Sequence, residues 1–148
     1  MFSKACEYGI RAVIYIWSQN TKGMKSGVKD ICRAIDAPEY FTAKILQSLV
    51  KQHLLSSAKG PNGGFYLMED QGNITLLDLA QGIDGDKLFR GCGMGLKHCS
   101  ESHPCPIHNE YKTIRENLAG LLAGKTIKAL ANEVAAGKAT LSAAPLRF

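Results

Sequence analysis

Cys92, Cys99 and Cys105 stand in the segment GCGMGLKHCSESHPCPIH, residues 91–108, directly ahead of a stretch with helical periodicity. Thiolates gathered on a flexible loop suit a soft metal or an iron–sulfur cluster, because such a loop can fold around whatever it binds. Six residues separate Cys92 from Cys99 and five separate Cys99 from Cys105. Structural zinc sites usually contain a close cysteine pair with about two to four residues between, so zinc is the weaker reading. Wide gaps let a loop wrap a larger inorganic core, and Gly91, Gly93 and Gly95 allow backbone N–H groups to approach the sulfurs. A zinc-stabilised loop and a metal-free thiol switch stay open as alternatives, the latter because accessible low-pKa thiols respond to oxidant. Cys6 and Cys32 fall on predicted helices away from the loop, where a buried thiol acting as a small apolar side chain is the expectation.

The chain that must position these thiols has 148 residues, enough for one ordinary domain or a small domain with a dimerisation extension. No apolar run reaches the length of a membrane span. The N-terminus reads as an amphipathic helix carrying Glu7 and Arg11 rather than a signal peptide, so a cytoplasmic protein is expected. An odd number of cysteines without an export signal argues for metal or redox chemistry over a secreted disulfide framework. The net charge of +5 is uneven: residues 1–68 hold nine Lys and Arg against four Asp and Glu, whereas residues 69–148 hold nine against nine. A basic half joined to a neutral half suggests that the first meets a polyanion while the second does something else.

The elements follow from periodicity. Tyr8, Ala12, Val13, Tyr15 and Ile16 form a broad apolar stripe on a first helix drawn from Ser3 to about Gln19. Ser26 is placed to cap a short helix with Val28, Ile31, Cys32 and Ile35, and Asp36-Ala37-Pro38-Glu39 opens another. In that third helix Phe41, Ile45, Leu46 and Leu49 are expected to face inward, with Tyr40, Ala43, Lys44, Gln47 and Lys51 on the other side. Two short helices across a tight turn make a helix-turn-helix. The strand-like runs Leu54–Ser57 and Phe65–Met68 then flank Lys59-Gly60-Pro61-Asn62-Gly63-Gly64, whose glycines supply the positive φ angles of a hairpin. Its slim basic tip at Lys59, Gly60 and Pro61 can enter a minor groove.

On the helix face that reaches base edges stand Pro38, Tyr40, Ala43, Lys44 and Gln47. Lys44 suits guanine, Gln47 suits adenine, and Tyr40 can pack on a thymine methyl or donate to phosphate. Thr75-Leu76-Leu77-Asp78 reads as a capping box opening a helix that ends near Gly85. Beyond the cysteine loop Ile107, Tyr111, Ile114, Leu118, Leu121 and Leu122 recur at spacings of three and four up to Gly124. A stripe this long needs a partner, and the same helix of a second subunit is the simplest one, with the chain's own core as the alternative. Thr126 can start a last short helix, and 135–148, rich in Ala, Ser and Gly, reads as a frayed tail.

These residues resemble the Rrf-two family of bacterial winged-helix transcription regulators, which contains cluster-assembly regulators, nitric-oxide sensors and cysteine-metabolism regulators. The resemblance spans about residues 2–135 and is carried by Glu7-Tyr8-Gly9-Ile10-Arg11-Ala12, Lys44-Ile45-Leu46-Gln47-Ser48-Leu49, the wing Lys59-Gly60-Pro61-Asn62-Gly63-Gly64-Phe65, and Cys105-Pro106-Ile107-His108. Lys59 stands where many relatives have arginine, and the gap after Cys92 is longer than relatives commonly show. The resemblance implies a homodimeric repressor or activator whose cluster state sets its affinity for a double-stranded DNA operator. It also implies a fourth ligand. His108 matches the histidine of the cluster-assembly regulators, while Glu7, from the other subunit, matches the carboxylate of the nitric-oxide sensors. His108 favours a two-iron centre (2Fe–2S) over the four-iron one (4Fe–4S) that Glu7 would suit, and an aerobically purified sample can lack either. His98 and His103 have no matching role and are expected to face solvent.

The expected architecture is therefore mainly α with a small β-hairpin: a winged helix-turn-helix over 1–84, a cysteine-containing cluster-binding loop over 85–106, and a long C-terminal dimerisation helix with its tail over 107–148. No nucleophile–base pair or phosphate-cradling loop is present, so an enzyme is not expected, nor a small-molecule substrate or a membrane partner.

Overall fold

The Ser3 hydroxyl accepts a hydrogen bond from the Cys6 N–H at 3.0 Å and starts α1 (Lys4–Asn20), the longest helix described. The computed structural model describes residues 1–143. The buried face of α1, with Ala12, Val13, Ile16 and Trp17, is the centre of the core and meets α2 (Val28–Ile35), α3 (Glu39–Lys51), α4 (Leu76–Asp84) and α7 (Ile127–Ala135). Gly9 is what lets α1 approach so closely: a Cβ there would stand 2.5 Å from Ile83 Cδ1 and 3.1 Å from Ile45 Cγ2.

The helix-turn-helix forms as expected, with two differences. α2 starts from Gly27 without a side-chain cap, because Ser26 is taken up by the wing: its N–H donates to the Phe65 carbonyl at 2.9 Å and its carbonyl accepts from the Phe65 N–H at 2.8 Å. This long-range pairing, made possible by Gly64 at φ +133°, outcompetes the local cap. In α3 it is Thr42 that is fully buried, whereas Phe41 is 42% exposed and meets Tyr8 edge-on at 5.9 Å between ring centroids. The turn between α2 and α3 is closed by Asp36 in the left-handed region, φ 53°, a conformation a short polar side chain tolerates.

The hairpin is shorter than the apolar runs suggest. β1 (Ser56–Ala58) and β2 (Gly64–Tyr66) pair antiparallel in the register Ser56 with Tyr66, Ser57 with Phe65, Ala58 with Gly64. Leu55 and Leu67, just outside the ladder, anchor it in the core. A single turn of 3-10 helix, Glu69–Asn73, follows, and the buried Gln71 amide there accepts from Ser56 Oγ and the Met68 N–H and donates to the His53 carbonyl. Every polar atom of that side chain is used, which fixes the base of the wing.

Thr75 and Asp78 form the anticipated capping box of α4, which ends at Gly85 with φ 74°. A one-turn helix, α5 (Lys87–Arg90), then leads into the cysteine loop and α6 (His108–Ala123). α6 packs mainly on α4 and α5. The last helix, α7, starts at Thr126 as expected; Ile127 and Ala131 are buried on α1, so it completes the winged domain's core. The segment after it is tied down as well, since Arg11 Nη1 donates to the Ile35 carbonyl at 2.5 Å and to the Leu141 carbonyl at 3.0 Å. Residues 144–148 of the expected tail lie outside the described residues.

Because Ile127 is fully buried, Ile127→Ala is expected to lower unfolding stability by about 2–5 kcal/mol. Urea titration monitored at the single Trp17 would read the loss, which should not depend on protein concentration.

Candidate nucleic-acid interface and cysteine loop

Pro38 caps α3 at its N-terminus, and from the first turns Tyr40, Lys44 and Gln47 stand exposed, with Ala43 half-buried between them. The Lys44 ammonium lies 4.5 Å from the centre of the Tyr40 ring, so the two side chains present one paired surface of charge and aromatic edge. Lys59, Gly60 and Pro61 are exposed at the tip of the hairpin, where Gly60 adopts φ +99° and Gly63 packs directly on the Ala58 carbonyl. The structure adds Lys25, which the sequence reading did not single out. Its ammonium sits 5.3 Å over the Tyr66 ring, bringing a further positive charge to the base of the wing. Only the bridge from Ser26 to Phe65 puts it there, and a pairing across that many residues leaves no local signal.

The cysteine loop is fastened to the face of α6 that carries His108, Tyr111 and Arg115. Cys105 is buried, Cys92 half-buried and Cys99 exposed. Cys99 Sγ lies 3.6 Å from His108 Nδ1 and accepts from Arg115 Nη1 at 3.3 Å. The same Nη1 donates to the Gly91 carbonyl at the start of the loop. Tyr111 lies under Gly93, where a Cβ would stand 2.7 Å from its ring, and the Arg115 guanidinium stands 5.7 Å from that ring. Lys112 also pairs with Glu101 in the middle of the loop. Arg115 was missed by motif reading. Its spacing of seven from His108 marks the shared helix face.

Electrostatics separate the thiols. Backbone N–H groups of Met94, first, and of Leu96 point at Cys92 Sγ, and with the Cys105 side chain and the Gly95 N–H they hold the Cys92 thiol below its ordinary range. Cys6 is the opposite case: burial, with Asp84 and Glu7 adding repulsion, pushes it up to about 12. Cys32 is raised as well, chiefly by burial. Both are core side chains, as expected. His98 and His103 are exposed. Glu7 is ion-paired with Lys4 at 2.8 Å, and that hydrogen bond lowers its carboxyl below the usual range.

Among the described residues no three Cys, His, Asp or Glu donors converge closely enough to hold a single metal ion. The loop donors come together as pairs instead, Cys99 beside His108 and Cys92 beside Cys105. The donor set nonetheless fits an iron–sulfur centre. Backbone N–H groups already face a sulfur, and His108 is only 7% exposed while its Nε2 has no partner among the described residues. A buried imidazole nitrogen left unsatisfied costs stability unless something binds it.

A helix-turn-helix followed by a basic-tipped hairpin defines a winged-helix transcription regulator. The Rrf2 family model, described as an iron-dependent transcriptional regulator, matches residues 2–133, and this chain belongs to that family of regulators, which are not enzymes. A protein of Aquifex aeolicus (strain VF5) named as an HTH-type transcriptional regulator is 28% identical over 134 residues, which is 89% of this chain and 92% of that one. Among solved structures, CymR, the global cysteine regulator of B. subtilis, superposes with a TM-score of 0.71 at 19% identity, covering 89% of this chain and 96% of its own. T. potens IscR gives 0.72 at 15% identity, covering 95% and 92%. These two structures establish the fold. No helix among the described residues is long and apolar enough to cross a membrane.

A lowered thiol pKa means more thiolate at a given pH, and a raised one means less. In folded metal-free protein near neutral pH, iodoacetamide should therefore modify Cys92 readily and Cys6 at least about a hundredfold more slowly, read by peptide mass spectrometry.

Proposed function

We propose that this regulator acts as a homodimer on a two-fold operator and senses redox state, nitric oxide or iron–sulfur status through a cluster held by Cys92, Cys99, Cys105 and His108. One observation carries the reading: Cys99 Sγ stands 3.6 Å from His108, a residue both buried and unpartnered at Nε2, at the first turn of α6. Each iron of a two-iron centre takes two protein donors, and the chain offers two pairs, Cys92 with Cys105 and Cys99 with His108. When bound, the cluster would supply a centre that changes charge or is lost on reaction with its signal. Glu7 from a second subunit is the rival fourth ligand, with a four-iron centre, and in that role it would have to give up its pairing with Lys4.

The same helix supports dimerisation. Ile107, Ile114 and Leu121 are exposed at steps of seven, the last two at 61% and 59%, with Leu118 half-buried between them. That is the heptad seam of a helix that pairs with its own copy. The functional division is then 1–84 for DNA, 85–106 for the cluster and the α6 part of 107–148 for the dimer, with α7 serving the core. In the DNA-bound state Lys44 faces guanine and Gln47 adenine, Tyr40 lies against a thymine methyl or phosphate, and Pro38 and Ala43 set the close approach of α3. Lys59, Gly60 and Pro61 reach the minor groove. A metal-free thiol switch is the second reading, favoured by the lowered Cys92 thiol.

Anaerobically reconstituted protein is expected to show visible absorption bands with matching iron and sulfide, and its operator affinity should change when the cluster is removed. A colourless protein whose DNA binding follows oxidant would establish the thiol switch instead. Lys59→Ala should weaken binding to all sequences and reduce the salt dependence by about one phosphate contact, whereas Gln47→Ala should relax base preference by about 1–3 kcal/mol. Salt-controlled fluorescence anisotropy with a panel of duplexes distinguishes the two, and the reverse pattern would refute the assignment.

A further inference from the structure

Arg115 is 8% exposed, and among the described residues no carboxylate pairs with it. Its Nε has no hydrogen-bond partner among those residues, while Nη1 reaches the Cys99 sulfur at 3.3 Å and the Gly91 carbonyl. A buried charge without a counter-ion is costly, and an apolar residue of similar size would fill the same space at less expense. The Tyr111 ring, 5.7 Å away, offsets part of that cost and leaves the guanidinium facing the loop. The loop atom within its reach that is able to carry negative charge is the Cys99 sulfur, 3.3 Å from Nη1.

We propose that Arg115 is the counter-charge of the cysteine loop, a positioning residue that binds Cys99 sulfur and the Gly91 carbonyl together and fixes both to α6. The inference rests on the proposed function for its cluster arm and on the chain's own contacts for its thiol arm. A charge that grips one sulfur and the first carbonyl of the loop makes the loop's two sides move as a unit with α6. Losing the Arg115 contact at Cys99 then frees one side of the loop from the helix that is proposed to form the dimer.

The test compares Arg115→Gln, which keeps hydrogen-bond donors without charge, with Arg115→Lys, which keeps charge without the planar fork. In reduced, metal-free protein at low salt, Cys99 is alkylated with neutral iodoacetamide and with anionic iodoacetate, and each rate is read by mass spectrometry. Taking the ratio of the two rates removes any difference in thiolate fraction and leaves the local potential. The iodoacetate preference at Cys99 should fall about fivefold in Arg115→Gln and be largely restored in Arg115→Lys, with the ratio at Cys92 changing less. In loaded protein the midpoint potential should shift to a lower value in Arg115→Gln and return in Arg115→Lys, because a positive charge beside a cluster favours the reduced form. Equal ratios at Cys99 in all three proteins would overturn the proposal and leave Arg115 as packing. A wild-type protein that takes up no cluster would sink the proposed function, while the alkylation ratio would still decide the role of Arg115.

Discussion

Close packing along α1 is the constraint on which both ends of the molecule depend. A helix of 17 residues spans about 25 Å, and this one is buried along a face that four other helices share. At its start, the Ser3 N–H and hydroxyl donate to Asp84, the last residue of α4, which leads into the cysteine loop. At its end, Asn20 Oδ1 accepts from the Leu67 N–H at 3.0 Å, beside the wing. Midway, Gly9 removes the Cβ that would hold α3 and α4 away. The recognition helix, the wing and the root of the loop are thus positioned by one rod. The motif Glu7-Tyr8-Gly9-Ile10-Arg11-Ala12 has a physical explanation: Gly9 permits the approach, Ala12 is buried, and Arg11 holds the end of α2 and the returning segment at Leu141.

α6 differs from α1 in what it leaves unsatisfied. One face holds the loop through His108, Tyr111 and Arg115, and the outward one carries Ile107, Ile114 and Leu121 into solvent. Leu122, by contrast, is buried within the chain. A single helix thus combines an apolar seam with two buried nitrogens, His108 Nε2 and Arg115 Nε, that find no partner among the described residues. Both deficits cost free energy in an isolated chain. Each is relieved by something from outside, the seam by apolar surface and the nitrogens by a ligand or an anion.

The sequence carried most of the fold because the helices are encoded locally. The stripe of α1, the capping box at Thr75 and Asp78, and the glycines of the wing each sit within a few residues of the structure they specify. The misreadings have one cause. Ser26 looks like a cap until Phe65 pairs with it, Phe41 looks like core until it meets Tyr8 at the surface, and Leu141 looks like part of a frayed tail until Arg11 holds its carbonyl. In each instance a partner distant in sequence decided the outcome, and periodicity holds no information on such partners. The candidate site shows the same limit. Cysteine spacing singled out the loop and the family resemblance singled out His108, while Arg115 and Lys25 became visible only through contacts with Cys99 and Tyr66.

A continuous set of contacts leads from the loop to the DNA face. Cys99 and the Gly91 carbonyl share Arg115, the Gly91 N–H donates to Lys87 in α5 at 2.7 Å, Asp84 holds Ser3, and Gly9 seats α1 on Ile45 of α3. Contact alone does not make coupling, which needs an element with two arrangements. The links from Asp84 through α1 to α3 are packed without slack, because Gly9 leaves no room for sliding, so they transmit displacement rather than absorb it. The compliant part lies earlier, at Gly85 in its left-handed conformation and in the single turn of α5, too short to be stable by itself. Under the proposed function, an event at Cys99 would reach the reading heads in either of two ways: by α5 moving with the loop, or by α6 shifting against its partner in the proposed dimer. The second requires less of the winged domain, since α6 meets mainly α4 and α5. A rigid reader attached to a movable seam changes the spacing of two such readers without deforming either, and half-site spacing is what a two-fold DNA site reads.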